Sequence, residues 1–341
     1  MSAGRKRAFG LAFGAGVLAC AGPTFEVADL PDAPIALVYR TVQESERVIE
    51  DAEQRSKQPA VQSGSAKLDI EMERILQSAG LRSQDDVLRD QFGHVSFYIA
   101  PEKRLEGVDF AARGSWPLEW SADHARLLFA ATSRERYQLF EWIAASGEVR
   151  QLTSGARHHQ DGCYGPGGAF AYVEAVTGPG RASSSRIWIQ RPGEPARPVT
   201  SGPADAQPSW SPDGMRLVYA ASDPGAGSVL RWVDPASGEG GTLARGRTPV
   251  FTRDGQWIVF SARTTRGWKL WRMRPDGSAK RSFGKSAFQE EDPSVSPDGR
   301  FVVFAAKKQE TSPTSRLFVR PLDGSADRHL ELSGSGLLPV W

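Results

Sequence analysis

The sequence predicts an all-β chain folded as a six-bladed β-propeller, and three observations carry that prediction. A hairpin built on a Ser-Pro-Asp-Gly turn recurs along the chain, at residues 207–219 and 292–304, with close variants at 248–260 and weaker copies at 118–129 and 163–172. The position just before the turn is occupied by Trp120, Tyr164, Trp210, Phe251, Val295 and Trp341, at separations of 44, 46, 41, 44 and 46 residues. Glycine (35) and proline (23) are plentiful, which suits many short strands and turns better than long helices.

Each hairpin follows from its residues. Pro212 presets φ at the first central turn position, Asp213 can bond back to its own backbone, and Gly214 takes the left-handed conformation that other residues resist. A third strand then carries Phe140, Trp188, Trp232, Trp271 or Phe318, and a turn follows near Gly147, Gly193, Gly238, Gly277 or Gly324. A fourth strand comes next, as at 149–153 and 197–200. Four strands per period of 41 to 46 residues describe a propeller blade. A lone four-stranded sheet cannot cover both apolar faces, so radial stacking buries them, with the recurring aromatics between blades.

The propeller is expected over residues 93–341, with hairpins near 117–131, 161–174, 207–221, 248–262 and 292–306. Residues 95–99 lie about one half-blade ahead of Trp120, as Trp188 lies ahead of Trp210, so 94–112 supply outer strands of a sixth blade. Residues 337–341 supply its inner strand, and the ring closes by pairing strands from the two ends of the chain. That leaves one strand unaccounted for. The blade is either three-stranded or completed by the N-terminal segment.

Ser211-Pro212-Asp213-Gly214 and Ser296-Pro297-Asp298-Gly299 resemble the repeat of the TolB-type six-bladed propellers, the PD40 repeat, and the resemblance covers residues 94–341. It implies a binding protein of the bacterial envelope that works beside a peptidoglycan-associated lipoprotein. Two features depart from that pattern. TolB is a soluble periplasmic protein with a larger N-terminal α/β domain, whereas this chain opens with a lipoprotein-like signal and a shorter, helical segment.

That signal is Arg5-Lys6-Arg7 followed by a short apolar run to Ala19, a length that suits export rather than membrane spanning. Val17-Leu18-Ala19-Cys20 resembles a lipobox, making residues 1–19 a signal peptide and Cys20 the lipidation site. Ala21 directs the anchored chain towards the outer membrane, facing the periplasm or the surface. Residues 20–40 read as the lipidated cysteine and a proline-bearing tether, and 41–92 as a helical segment that packs on the propeller.

A formal charge of +2, from 42 basic and 40 acidic groups, gives no electrostatic case for nucleic acid. The two cysteines make no disulfide framework, and Cys163 has no partner constellation of a nucleophile. There is no Gly-x-Ser-x-Gly elbow and no phosphate-binding loop. The connections into the inner strands carry His158, His159, Gln160 and Asp161, then Asp205 and Gln207, Arg245 and Arg247, and Glu290, Glu291 and Asp292. These residues are the candidate partner-binding surface, on the rim opposite the Asp-Gly turns. His158 and His159 with Asp161 and Glu291 are donor types for a divalent metal. Adjacent residues rarely aim at one ion, so no catalytic residue and no cofactor is expected. The function read from the sequence is a non-catalytic envelope scaffold that binds a protein or glycan. The alternative is a small metal-dependent propeller enzyme, a lactonase or hydrolase, with its site at the channel mouth.

Overall fold

A computed structural model of the chain describes residues 25–39, 94–99, 104–108, 115–133, 136–176, 184–284, 286–308, 315–324, 329–333 and 337–341. The signal peptide, Cys20 and the helical segment predicted at 41–92 lie outside the described residues. Three early strands are β1 (Ile35–Tyr39), β2 (His94–Ile99) and β3 (Arg104–Gly107). Blade one then runs β4 (Trp116–Trp120), β5 (Arg126–Ser133), β6 (Arg136–Ile143) and β7 (Val149–Gln151). Blade two is β8 (His158–Tyr164), β9 (Phe170–Val176), β10 (Ser184–Gln190) and β11 (Arg197–Pro198). Blade three is β12 (Asp205–Trp210), β13 (Leu217–Asp223), β14 (Gly227–Val233) and β15 (Gly240–Arg245). Blade four is β16 (Arg247–Phe251), β17 (Ile258–Thr264), β18 (Gly267–Met273) and β19 (Arg281–Ser282). Blade five is β20 (Gln289–Val295), β21 (Phe301–Lys307), β22 (Arg316–Pro321) and β23 (Leu330–Ser333), and β24 (Leu337–Val340) follows.

The six sheets have four strands each, and the sixth has the order β24-β1-β2-β3. The ring is therefore closed by strands from both ends of the chain, with β1 antiparallel to β24 through the pair Ala36 and Val340. Strands β2 and β3 fill the outer positions predicted for 94–112. One boundary needs correction. Residues 35–39 are not tether but the second strand of blade six, paired with β2 from Ile35–Tyr98 to Tyr39–His94. An apolar, β-branched run with both neighbours available is more stable in the sheet than extended in water. Upstream of it, a 3-10 turn at Val27–Asp29 lies beside blade five, where Phe25 meets Phe301 at a ring separation of 5.6 Å and Arg300 donates to the Asp29 carbonyl at 3.0 Å.

The core is divided among six clusters that join successive blades. One, between blades three and four, holds Val218, Leu230, Phe251, Ile258 and Phe260. The closing blade joins blade five through Ile35, Leu37, Phe301, Val303 and Trp341, and blade one through Ala36, Val95, Phe97, Trp120 and Leu127. Residues that precede the turns thus pack across the blade boundary, as the repeat predicts.

The turns are held by their own side chains. Ser121, Ser211, Thr252 and Ser296 each donate a hydroxyl to the Asp two residues on, at 2.5–2.6 Å. The same Asp oxygen accepts the N–H of Ala125, Met215, Gln256 or Arg300. The hydroxyl in turn accepts the N–H that opens the next strand, at Arg126, Arg216, Trp257 or Phe301. Three polar groups are satisfied by two short side chains. These hydrogen bonds, led by the one from the hydroxyl, hold the Asp123 and Asp213 carboxyls below the usual range.

Candidate functional site

The inner strands line the ring axis, and each carries an irregularity at the same depth. The register slips between Pro117 and Glu119, Gln160 and Cys163, Ala206 and Ser209, Arg247 and Val250, and Glu291 and Ser294. At five of the six inner strands the extra residue has left-handed backbone: Asp161 (φ 49°), Gln207 (54°), Thr248 (50°), Asp292 (50°) and Leu338 (45°). Such conformations cost about 1–3 kcal/mol each and persist only where surrounding structure dictates them. Four of the five precede a proline (Pro208, Pro249, Pro293, Pro339). Proline lacks an N–H, and a strand edge facing the axis tolerates that loss.

A cavity of about 750 Å³ occupies the axis between these bulges and the hairpin turns. Asp161, Gln207, Thr248, Asp292 and Leu338 bound it at one end, and Ala122, Gly167, Pro212 and Arg253 at the other. Its wall carries the repeat's marker residues Trp120, Tyr164, Trp210, Phe251, Val295 and Trp341.

The strand edges that face the cavity are tied to their neighbours by a repeated link. The N–H of Phe251 donates to Ser209 Oγ at 3.0 Å, and that of Trp341 to Ser294 Oγ at 3.0 Å. The N–H of Trp210 meets the Cys163 sulfur in the same way. At blade two the acceptor is a carboxylate, because Tyr164 N–H donates to Glu119 Oε2. Glu119 thus stands where the other copies have Cys163, Ser209, Val250, Ser294 and Val340. Enclosure in the wall pushes its pKa up to about 7, against the lowering by Tyr164 N–H and the charge of Arg253. Cys163 is buried and unbonded to another cysteine, and burial pushes its thiol up, so it is not a nucleophile in waiting.

Arg253 crosses the mouth. It sits in the turn of blade four, yet its guanidinium donates to the Ala122 carbonyl at 3.3 Å and to His124 Nε2 at 3.0 Å, both in the turn of blade one on the opposite side of the ring. His124 occupies the fourth turn position, held by Gly214, Gly255 and Gly299 in the other copies, and keeps the same left-handed backbone at φ 54°. Its ring stacks on Trp120 at 5.6 Å, and its buried Nδ1 has no hydrogen-bond partner. Since an arginine only donates, Nε2 must carry the lone pair. Burial and the adjacent Arg253 charge lower the His124 pKa, which favours that neutral form.

The residues singled out from the sequence lie elsewhere than expected. His158, His159, Gln160, Asp161, Asp205, Gln207, Arg247, Glu290, Glu291 and Asp292 are strand residues rather than loop residues, and Arg245 ends an outer strand with its side chain exposed. Most are buried in bonds that join strands and blades. His159 lies 2.9 Å from Gln138 Oε1 and 3.4 Å from Glu174 Oε2, and Tyr137 N–H donates to His158 Nδ1 at 3.3 Å. Burial pushes His158 down to about 4 and lowers His159 despite Glu174. Asp205 accepts from Gly202 N–H at 3.0 Å, and Gln207 from Thr248 N–H at 2.9 Å. Arg247 pairs with Glu291 at 3.0 Å over the Trp268 ring, and Arg320 with Glu290 at 2.5 Å, all four buried. Only Asp161, Gln207 and Asp292 of the eleven line the cavity. Among the described residues no three His, Cys, Asp or Glu side chains come together to hold a metal ion. The cavity lies on the Asp-Gly turn side of the bulges, away from the rim where the sequence placed the candidate surface. Arg253, Glu119 and His124 escaped the sequence reading, although each is a departure from the repeat at its own position.

No family model matches the chain. An uncharacterized protein of Agrobacterium fabrum, Atu1656, is 33% identical over 101 residues, which is 28% of this chain and 34% of that protein. The match therefore spans about a third of that relative's length. A solved structure of a TolB candidate from Agrobacterium tumefaciens superposes with a TM-score of 0.59 at 23% identity, over 69% of this chain and 87% of that one. TolB from Acinetobacter baumannii gives 0.60 at 16% identity, over 84% and 74%. Hydrazine synthase from Kuenenia stuttgartiensis gives 0.63 at 10% identity, over 92% of this chain and 47% of that one. At these identities the likeness is one of fold, and it agrees with the blade count and strand order: the chain is a TolB-like six-bladed β-propeller.

Proposed function

We propose that this chain is a non-catalytic binding protein of the bacterial cell envelope, anchored through lipid on Cys20, that holds a segment of a protein partner in its axial cavity. The observation that carries this reading is the cavity itself. It is deep, walled by aromatic side chains, and built on a ring whose blades are fastened to one another by buried bonds. A wall of that kind is preorganised, so binding costs little reordering of the protein. The likeness in fold to TolB accords with placement in the envelope. The metal-dependent enzyme reading calls for several donors on one point, and three of its candidate donors, His159, Glu290 and Glu291, are engaged instead with Gln138 and Glu174, Arg320 and Arg247.

A photo-crosslinking residue at Pro212, which is exposed at the cavity mouth, is expected to give a discrete protein adduct in whole cells. The same residue at Val149, exposed on an outer strand, is expected to give none. Adducts from Val149 alone, or equally from both, would refute the cavity as the binding face. Anchoring is tested by Cys20→Ala, which should move the protein out of the membrane fraction.

A further inference from the structure

Resting on that reading, we propose that Arg253 is the specificity-determining residue of the cavity and that it selects a carboxylate on the inserted protein segment. Three observations point there. First, the Arg253 guanidinium is half-buried, yet both of its hydrogen bonds among the described residues go to neutral acceptors, the Ala122 carbonyl and His124 Nε2. A guanidinium bonded to a carboxylate in a fork gains roughly twice what neutral acceptors return, so its present partners are the weaker choice. Second, the bond to blade one spans the ring, so an entering chain meets Arg253 at the mouth and must displace it from Ala122 and His124. Third, the acceptor it would leave sits on a strained element. His124 keeps a left-handed backbone where the other copies have glycine, and its Nδ1 is buried without a partner. The turn therefore carries a local cost for the sake of a side chain that meets Arg253.

The charge of the mouth agrees with an acidic occupant. Arg126 also lines the cavity on this side, stacked 5.3 Å from the Tyr164 ring, and it pairs with Glu141 at 3.3 Å while its own side chain stays 40% exposed. Glu119 lies deeper in the wall and lends Arg253 some negative potential, but no carboxylate lies within ion-pair distance of Arg253 among the described residues. An Asp or Glu side chain of the partner, or its C-terminal carboxylate, would supply that missing group, while apolar neighbours in the segment rest on Trp120, Trp210 and Trp341.

Random dodecapeptides displayed on phage, selected on the full-length chain and then synthesised, test this directly. Binders are expected to carry an acidic residue whose amide form (Asp→Asn or Glu→Gln) binds at least ten-fold more weakly. Against Arg253→Gln the acid and amide forms should differ by less than two-fold, and Arg253→Lys should retain part of the preference. Pro212→Trp, which narrows the mouth, should weaken every binder, and thermal unfolding of each variant confirms that it is folded. Binders that need an open mouth but ignore both the carboxylate and Arg253→Gln would overturn the assignment of Arg253 and leave the cavity reading standing. A selection that yields no binder, or only binders indifferent to Pro212→Trp, would sink the cavity reading and this inference with it.

Discussion

Glu119 shows how one residue in a repeat can be set apart from its equivalents. Where Ser209 and Ser294 supply a hydroxyl to the next blade, Glu119 supplies a carboxylate, and enclosure raises its pKa from 4.5 to about 7. Between those two pH values the folded chain holds a proton that the unfolded chain has released. Stability from this group therefore falls as pH rises through the window, and the cost of the buried charge is fully developed above about pH 7. Glu119→Gln keeps an acceptor for Tyr164 N–H and removes the charge. Urea unfolding at pH 8 should show the variant more stable by about 1–3 kcal/mol, with no gain at pH 4.5. Equal gains at both pH values would mean that the carboxylate is not the strained group. Sequence reasoning could have flagged Glu119 by aligning the copies, since only there does a charge replace a small residue. Its burial depended on the neighbouring blade, which no local pattern reveals.

The hairpin turn is the element on which the repeat is built, and its weakest copy is the most informative. Blade two reads Gly165-Pro166-Gly167-Gly168 where the others have Ser or Thr and Asp. A Cβ on Gly165 would lie 2.5 Å from the Trp210 ring, and one on Gly214 would lie 2.4 Å from Pro166. The turns of blades two and three are thus packed so closely that blade two has no room for the Ser or Thr that opens the other turns, whereas the Asp position, Gly167, is open. Gly165→Ser, which brings the sequence nearer to the repeat, should destabilise the protein by about 1–3 kcal/mol through displacement of Trp210. Thermal unfolding followed by tryptophan fluorescence would check it, and a neutral or stabilising result would show that Trp210 moves aside freely. The good copies were legible as turns because their chemistry is local, spanning six residues. The position of Arg253 was not, because its acceptors lie 129 and 131 residues away across the ring.

At the scale of the whole molecule, the period alone announced the blades, and the aromatic markers fell on the inner strands as the spacing required. The Ile35–Tyr39 strand was hidden for a physical reason. Both of its sheet neighbours, β2 and β24, are distant in sequence. Such closure joins the two ends of the propeller through one short antiparallel pair, so the last blade depends on contacts with the highest loop-closure cost in the chain. Opening of the ring should therefore begin between β1 and β24. Ala36 and Val340 face each other directly in that pair, and cysteines at both positions would have Cα atoms within disulfide range for opposed strand residues. Ala36→Cys with Val340→Cys, oxidised, should raise the unfolding free energy by about 2–4 kcal/mol, and a reducing agent should abolish the gain. Oxidation with no change in the unfolding midpoint would place the first opening of the ring at another blade boundary.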